Sequence, residues 1–79
     1  PSPGAFFNFN GQRYKILKAE IGKGIGVNGE VVSNDLEVAC ANNKSIKILE
    51  IQREGKRVQK IGEFMLGSQI KKGSSLLNV

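Results

Sequence analysis

Turn signals recur along this chain about every eight to twelve residues and divide it into short segments. The first is Asn10-Gly11, a pair that tolerates positive φ at both positions and therefore favours a type I′ hairpin. Asn34-Asp35 and Asn42-Asn43 mark two later turns. Short segments separated in this way are typical of a β-barrel or a β-sandwich.

Between these turns the apolar pattern predicts five strands and one short helix. The strands are expected over residues 5–9, 13–21, 30–33, 36–41 and 45–52, with residues 76–77 closing the sheet. In the second strand the apolar face changes from Tyr14 and Ile16 to Leu17, which indicates a bulge. The helix is expected over residues 61–66 and should end at Gly67. The predicted class is all-β with one short helix.

Composition excludes several kinds of function. The 79 residues suffice for one small domain, and they include no histidine and one cysteine. The chain therefore lacks the usual general base, and it can form neither an internal disulfide nor a zinc site. Cys40 is expected to be a small buried residue in a reducing compartment. The acidic residues are scattered, mostly at strand positions expected to face water, and no apolar run reaches the roughly 20 residues of a membrane helix.

Basic residues carry the main functional signal. Net charge is +5, from 12 Lys and Arg against 7 Asp and Glu, which favours an acidic partner such as nucleic acid or an anionic membrane. The densest cluster follows the fifth predicted strand and comprises Arg53, Lys56, Arg57 and Lys60. A buried strand and a buried helical turn should hold this basic loop, so its charges converge. Lys15 and Lys18 complete the candidate nucleic-acid contacts; a solvated, solubilising surface is the alternative.

Two other patterns have simpler explanations than a ligand site. Residues 24–29, Gly-Ile-Gly-Val-Asn-Gly, match G-x-G-x-x-G, but a strand-like segment follows where a dinucleotide site needs a helix. A flexible loop between strands is therefore predicted. The aromatic side chains of the first hairpin could stack bases, but a small barrel needs large core residues. Core packing is favoured for Phe7 and Phe9, while Phe6 and Tyr14 stay open.

Three segments of the chain form a distinctive combination: the opening PSPGAFFNFNGQRYKILKAEI, Ile-Gln-Arg-Glu-Gly-Lys-Arg at residues 51–57, and Glu-Phe-Met-Leu-Gly at residues 63–67. Taken as a whole, the chain resembles the C-terminal domain of the methionyl-tRNA formyltransferase family. Its opening is similar to the family's Pro-x-Pro-Gly-aromatic start and the Gly and hydrophobic-Lys-hydrophobic pattern after it. Residues 51–57 resemble the Leu-Gln-x-x-Gly-Lys-Lys segment, and residues 63–67 resemble the acidic-Phe-Leu-Asn-Gly helix end. Lys60 stands where the family often has a Ser or Thr helix cap, and Leu66 replaces the usual Asn.

The resemblance implies an open Greek-key barrel, OB-like in shape, over residues 5–79, with residues 1–4 as the end of an interdomain linker. It implies a cytoplasmic parent enzyme that formylates methionyl initiator tRNA from formyltetrahydrofolate during translation initiation. High usage of Lys, Ile and Asn favours an AT-rich bacterial genome as the source. The family's catalytic Asn, His and Asp lie in an N-terminal Rossmann-like domain, where the folate is also expected. The expected partners are tRNA and that catalytic domain. This chain is expected to be a docking module with no catalytic residue and no cofactor of its own.

Two other functions stay open on sequence alone. Sugar-nucleotide formyltransferases and formyltetrahydrofolate dehydrogenase carry a similar barrel that mainly completes the substrate pocket. A free-standing OB-like binder of single-stranded nucleic acid is the third possibility. The basic cluster and the net charge favour tRNA over the first alternative. A linker-like start and few exposed aromatic residues count against the second.

Overall fold

The computed structural model describes residues 5–79, so the linker expected over residues 1–4 lies outside the described part. The strands are β1 (Phe6–Phe9), β2 (Gln12–Ile21), β3 (Glu37–Cys40), β4 (Lys44–Arg53) and β5 (Val58–Lys60), and the helix is α1 (Ile61–Gly67). The predicted class, mostly β with one short helix, is confirmed. Across residues 5–79, no helix has the length and apolar character needed to cross a membrane.

Strand β4 is the centre of a curled antiparallel sheet. It pairs with β2 along one edge, and on its other edge with β3 near its beginning and β5 near its end. Strand β1 pairs with β2, which gives the order β1-β2-β4-β3. The connection from β2 to β3 therefore crosses β4. The barrel-type fold is confirmed as a curled half-barrel.

Single bridges span the open side of this half-barrel. They join Val31 to Val38, Glu30 to Ser75 and Leu77 to Asn8. Leu76 lies between the last two bridges and is buried. The C-terminal segment thus links the chain beside β3 back to β1, and the predicted closing role of residues 76–77 is confirmed.

The first hairpin and the bulge also follow the sequence-based prediction. Asn10 and Gly11 adopt φ values of 50° and 76°, as a type I′ turn requires. The register between β2 and β4 shifts on both sides of Lys18. Leu17, which has no register partner within the shift, is 41% exposed, whereas Ile16 before it stays in the core.

The strand predicted over residues 30–33 is wrong in extent. Only Glu30 and Val31 form bridges there. The hydroxyl of Ser33 accepts the backbone N–H of Glu37 at 3.1 Å, so the chain turns where the strand was expected to continue. A short polar side chain that bonds the backbone ahead of it competes with sheet pairing.

Aromatic rings fill the part of the core nearest to α1. Phe7 is fully buried and stacks on Tyr14, with ring centroids 5.1 Å apart. Phe64 of α1 meets Tyr14 edge to face at 5.7 Å. Core packing is therefore confirmed for Phe7 and extends to Tyr14, while Phe9 packs half-buried against the same cluster. Cys40 is half-buried rather than fully buried.

Glu37 is buried, contrary to the expectation that strand acids face water. It is 7% exposed, and its Oε2 accepts the Ser45 hydroxyl at 2.6 Å and the backbone N–H groups of Gly24 and Lys23 at 2.6 and 2.9 Å. The Ser45 hydroxyl, then the Gly24 N–H, lower the pKa of Glu37 below its ordinary value. The local pattern could not reveal this burial, because the partners come from another strand and from a distant loop.

The glycine-rich loop lies flat on the sheet at Glu37. A Cβ on Gly24 would stand 2.7 Å from Val32 Cγ2, and one on Gly26 would stand 2.6 Å from Glu30 Oε1. Ile25, between these glycines, and Val27, which follows Gly26, are 69% and 75% exposed. The glycine spacing therefore serves close backbone packing. The next element along the chain is β3, where a dinucleotide site would need a helix. The prediction that residues 24–29 form a loop and not such a site is therefore confirmed.

We expect Glu37→Gln to lower the free energy of unfolding by about 1–3 kcal/mol at pH 7, because it replaces a charged acceptor of several hydrogen bonds. The folded-state pKa of Glu37 is lowered from 4.5, so its stabilisation is present above that pH and is lost as pH falls through the folded value. The difference between wild type and variant should therefore shrink in acid. Urea unfolding between pH 3 and pH 7 checks this, with Glu54→Gln on the exposed turn as control. A difference that does not change with pH would contradict the role of the ionised carboxylate.

We expect opposite effects from alanine at two glycines. Gly24→Ala should destabilise the domain by about 1–3 kcal/mol, because its Cβ meets Val32 and Glu37. Gly62→Ala should stabilise it by up to about 1 kcal/mol, because this helical position is open. Thermal unfolding of both variants measures the contrast. Equal effects would show that the loop does not pack closely on the sheet.

Candidate nucleic-acid interface

The predicted basic loop is a β-hairpin. Lys56 N–H donates to the Arg53 carbonyl at 2.9 Å, and Gly55 has a φ of 81°, as the third position of a type II turn requires. The Gln52 side-chain amide donates to the Lys56 carbonyl at 2.9 Å. Glu54 N–H donates to the Arg13 carbonyl at 2.9 Å, which ties the turn to β2. Strand β5 was not predicted, because its three residues follow a run of charged side chains that is typical of a loop.

The six predicted cations are all exposed, and the structure divides them into two groups. The first group, Arg53, Lys56 and Arg57, lies on the hairpin turn. The second group, Lys15, Lys18 and Lys60, lies on β2 and β5. From sequence spacing, Lys60 was predicted to belong to the basic loop. The pairing of β5 with β4 separates it from the turn.

The hairpin cations line a groove of about 810 Å³. The turn between β1 and β2 and helix α1 form its other walls. Three aromatic side chains line it together with the cations: Phe9, Tyr14 and Phe64. Four residues with amide side chains also line it: Asn10, Gln12, Gln59 and Gln69. We name this feature the hairpin groove.

Neighbouring side chains hold two of the groove cations. Arg53 Nε donates to Gln12 Oε1 at 3.1 Å. Arg57 forms a two-pronged ion pair with Glu63 of α1, with Nη1 at 3.3 Å from Oε1 and Nη2 bonded to Oε2. This hydrogen bonding raises the pKa of Arg57 and lowers the pKa of Glu63. The pair joins the helix to the hairpin and partly offsets the charge of Arg57, so Arg53 and Lys56 are the groove cations most available to an anion.

The other three lysines lie on strands β2 and β5, outside the hairpin groove. In the strand register, Lys18 of β2 and Lys60 of β5 are both opposite Glu50 of β4, on its two edges. Lys15 lies between the buried residues Tyr14 and Ile16, so its side chain points away from the core. None of these three lysines lines the hairpin groove. They form a separate basic row, which we call the outer row.

Helix α1 fixes the remaining wall of the groove with its half-buried side. The helical turn was predicted to be buried, but no residue of α1 is fully buried. Its residues Ile61, Phe64 and Met65 are half-buried and pack against the core. Lys60 is the N-cap and makes no side-chain cap hydrogen bond, consistent with the absence of Ser or Thr there. Sequence reasoning missed the amide wall, because its side chains become neighbours only when the hairpins and α1 pack together. Over residues 5–79, no group of three or more His, Cys, Asp or Glu could hold a metal ion.

Comparison with known proteins gives a family match and close relatives. The family model described as "Formyl transferase, C-terminal domain" matches residues 1–69. The methionyl-tRNA formyltransferase of Pelagibacter ubique is 67% identical over 79 residues, which cover 100% of this chain and 26% of that protein. Those of Bradyrhizobium diazoefficiens and Sphingopyxis alaskensis are 40% and 39% identical, covering 94% and 96% of this chain and 25% and 26% of those proteins. The chain spans about a quarter of the length of the curated relatives it matches.

Proposed function

This chain belongs to the formyl transferase C-terminal domain family, and from that membership we propose that it is the tRNA-docking domain of a methionyl-tRNA formyltransferase. The parent enzyme formylates the amino group of methionyl initiator tRNA in the bacterial cytoplasm. Support comes from bacterial relatives that carry this enzyme's name, one of them 67% identical along the whole chain. The domain binds the tRNA and leaves the chemistry to the rest of the polypeptide.

Formyl transfer itself is assigned to the N-terminal catalytic domain, the second partner of this chain. The transfer needs a group that takes a proton from the attacking amine. This chain has no histidine, and the carboxylate at the hairpin groove, Glu63, is held in an ion pair with Arg57. These residues do not fit a formyltetrahydrofolate site with its acid–base group, so no catalytic step is assigned to them.

The observation that carries the proposal is the convergence of Arg53 and Lys56 on the hairpin groove. The hydrogen bonds of the turn fix their backbone, so two positive charges are presented together without being drawn into ion pairs in the described part of the chain. Arginine forks onto phosphate oxygens and lysine acts as a point charge. The outer row at Lys15, Lys18 and Lys60 adds a weaker, more distant attraction. Binding of this kind reads charge and shape rather than sequence.

The alternatives predict different ligands. In a sugar-nucleotide formyltransferase or a formyltetrahydrofolate dehydrogenase, the same barrel completes a pocket for a small substrate, and tRNA affinity is not required. The names of the relatives favour tRNA. Family membership disfavours a free-standing nucleic-acid binder. A direct measurement of tRNA binding separates the two formyltransferase functions.

Changing Arg53 and Lys56 together to Ala should weaken tRNA binding by about 1–2 kcal/mol and flatten the dependence of log K on log salt by roughly one to two units, because two phosphate contacts are lost. The wild-type slope should lie at about −2 to −4, for about three or four neutralised phosphates. Folding stability should barely change, because exposed charges contribute little to it. Fluorescence anisotropy across a salt series, with labelled tRNA, gives both quantities.

The matched control is Lys71→Ala with Lys72→Ala, which removes the same formal charge from an exposed segment outside the groove. Its effect on tRNA affinity should be smaller. Equal losses from both double variants would show a diffuse field instead of a docking site. Absence of measurable tRNA binding by the wild-type protein at low salt would overturn the proposed function.

A further inference from the structure

We infer that the hairpin groove receives an unpaired nucleotide of the RNA, with its phosphate at the hairpin cations and its base against the aromatic wall. The inference rests on the proposed function and names the part of the tRNA that the groove takes. It differs from simple charge attraction, which would serve a duplex and a single strand alike.

The two walls of the groove have different chemistry. The hairpin side offers Arg53 and Lys56, which suit a phosphate. The walls formed by the β1–β2 turn and α1 offer Phe9 and Phe64, which are only half-buried and line the groove. In an RNA duplex the bases are stacked inside and meet no aromatic side chain, whereas unpaired bases stack on such rings. One nucleotide can contact both the cations and the aromatic rings only if its base is unstacked from the RNA helix.

Existing contacts decide which ring meets the base. One face of Tyr14 is covered by Phe7 at 5.1 Å, and Phe64 stands edge-on to it at 5.7 Å. Tyr14 therefore supports the wall, and the base contact falls to Phe9 and Phe64. A cavity of about 810 Å³ lies within the usual ligand-site range of roughly 300–1,000 Å³.

Amide groups give the groove polar partners for the edge of a base. Gln59 of β5 and Gln69 beyond α1 line it with their side chains. An amide both donates and accepts, so it can bond any base edge. We therefore expect a preference for single strands with little preference for one base, as in other stacking sites.

Phe6 provides a matched control on the same strand as Phe9. The Arg13 guanidinium lies over the Phe6 ring, 4.0 Å from its centroid. Phe6 does not line the hairpin groove. It is partly exposed, as Phe64 is. Replacing either ring with Leu keeps an apolar side chain of similar bulk and removes the aromatic face.

The test compares two probes with the wild-type chain, Phe64→Leu and Phe6→Leu. One probe is a single-stranded RNA hexamer, and the other is a blunt RNA duplex of the same length. Phe64→Leu should weaken hexamer binding about 5- to 20-fold, leave duplex binding within about twofold, and weaken tRNA binding in the same direction. Phe6→Leu should change neither. Arg53→Ala with Lys56→Ala should weaken both probes.

A second measurement needs no variant and so does not depend on how Phe64→Leu folds. In the wild-type chain the ring protons of Phe64 or Phe9 should shift upfield when the hexamer is added, because a stacked base shields them, and they should not shift with the duplex. Ring protons whose shifts do not change with the hexamer would overturn the inference, and so would equal effects of Phe64→Leu on the two probes. Neither result would contradict tRNA binding through Arg53 and Lys56. If the wild-type protein binds no tRNA at all, the proposed function is overturned instead.

Discussion

Strand β4 pairs along both of its edges, and this pairing positions the other strands, the basic turn and α1. Along one edge β4 meets β2, and along the other it meets β3 and then β5. Arg53 is the last residue of β4, so the strand that organises the core also starts the basic turn. Helix α1 follows β5 and contacts both β4 and β5. The hairpin groove therefore takes its shape from the sheet and not from a mobile loop.

A second constraint acts at the other end of the sheet and stabilises it without entering the groove. The Glu37 carboxylate holds the glycine-rich loop against β3 and β4 through Ser45, Gly24 and Lys23. A domain of 79 residues with one cysteine has no disulfide to restrict its unfolded chain. A satisfied buried carboxylate and close glycine packing provide local order there. Because neither contributes to the groove, stability can be changed without altering the surface proposed to contact RNA.

Sequence patterns predicted the fold well where the structure of a segment depends mainly on its own residues. The Asn10-Gly11 hairpin, the bulge in β2 and the helix before Gly67 each depend on neighbouring residues, and all three are present. Other features depend on contacts between residues that are far apart in sequence, and these were not predicted. The burial of Glu37 and the hairpin groove depend on side chains far apart in sequence, so no window of the sequence could show them. The cations were identified from sequence, but their division into groove and outer row needed the pairing of β5.

We propose that tRNA meets this domain at the hairpin groove. The most direct measurement maps backbone amide shifts of the chain by two-dimensional NMR while tRNA is added at low salt. We expect the shifts to concentrate at the turn over residues 53–57, at the β1–β2 turn and at the end of α1, and to fade as salt is raised. Shifts concentrated instead around Ile25 and Val27, on the glycine-rich loop, would contradict it.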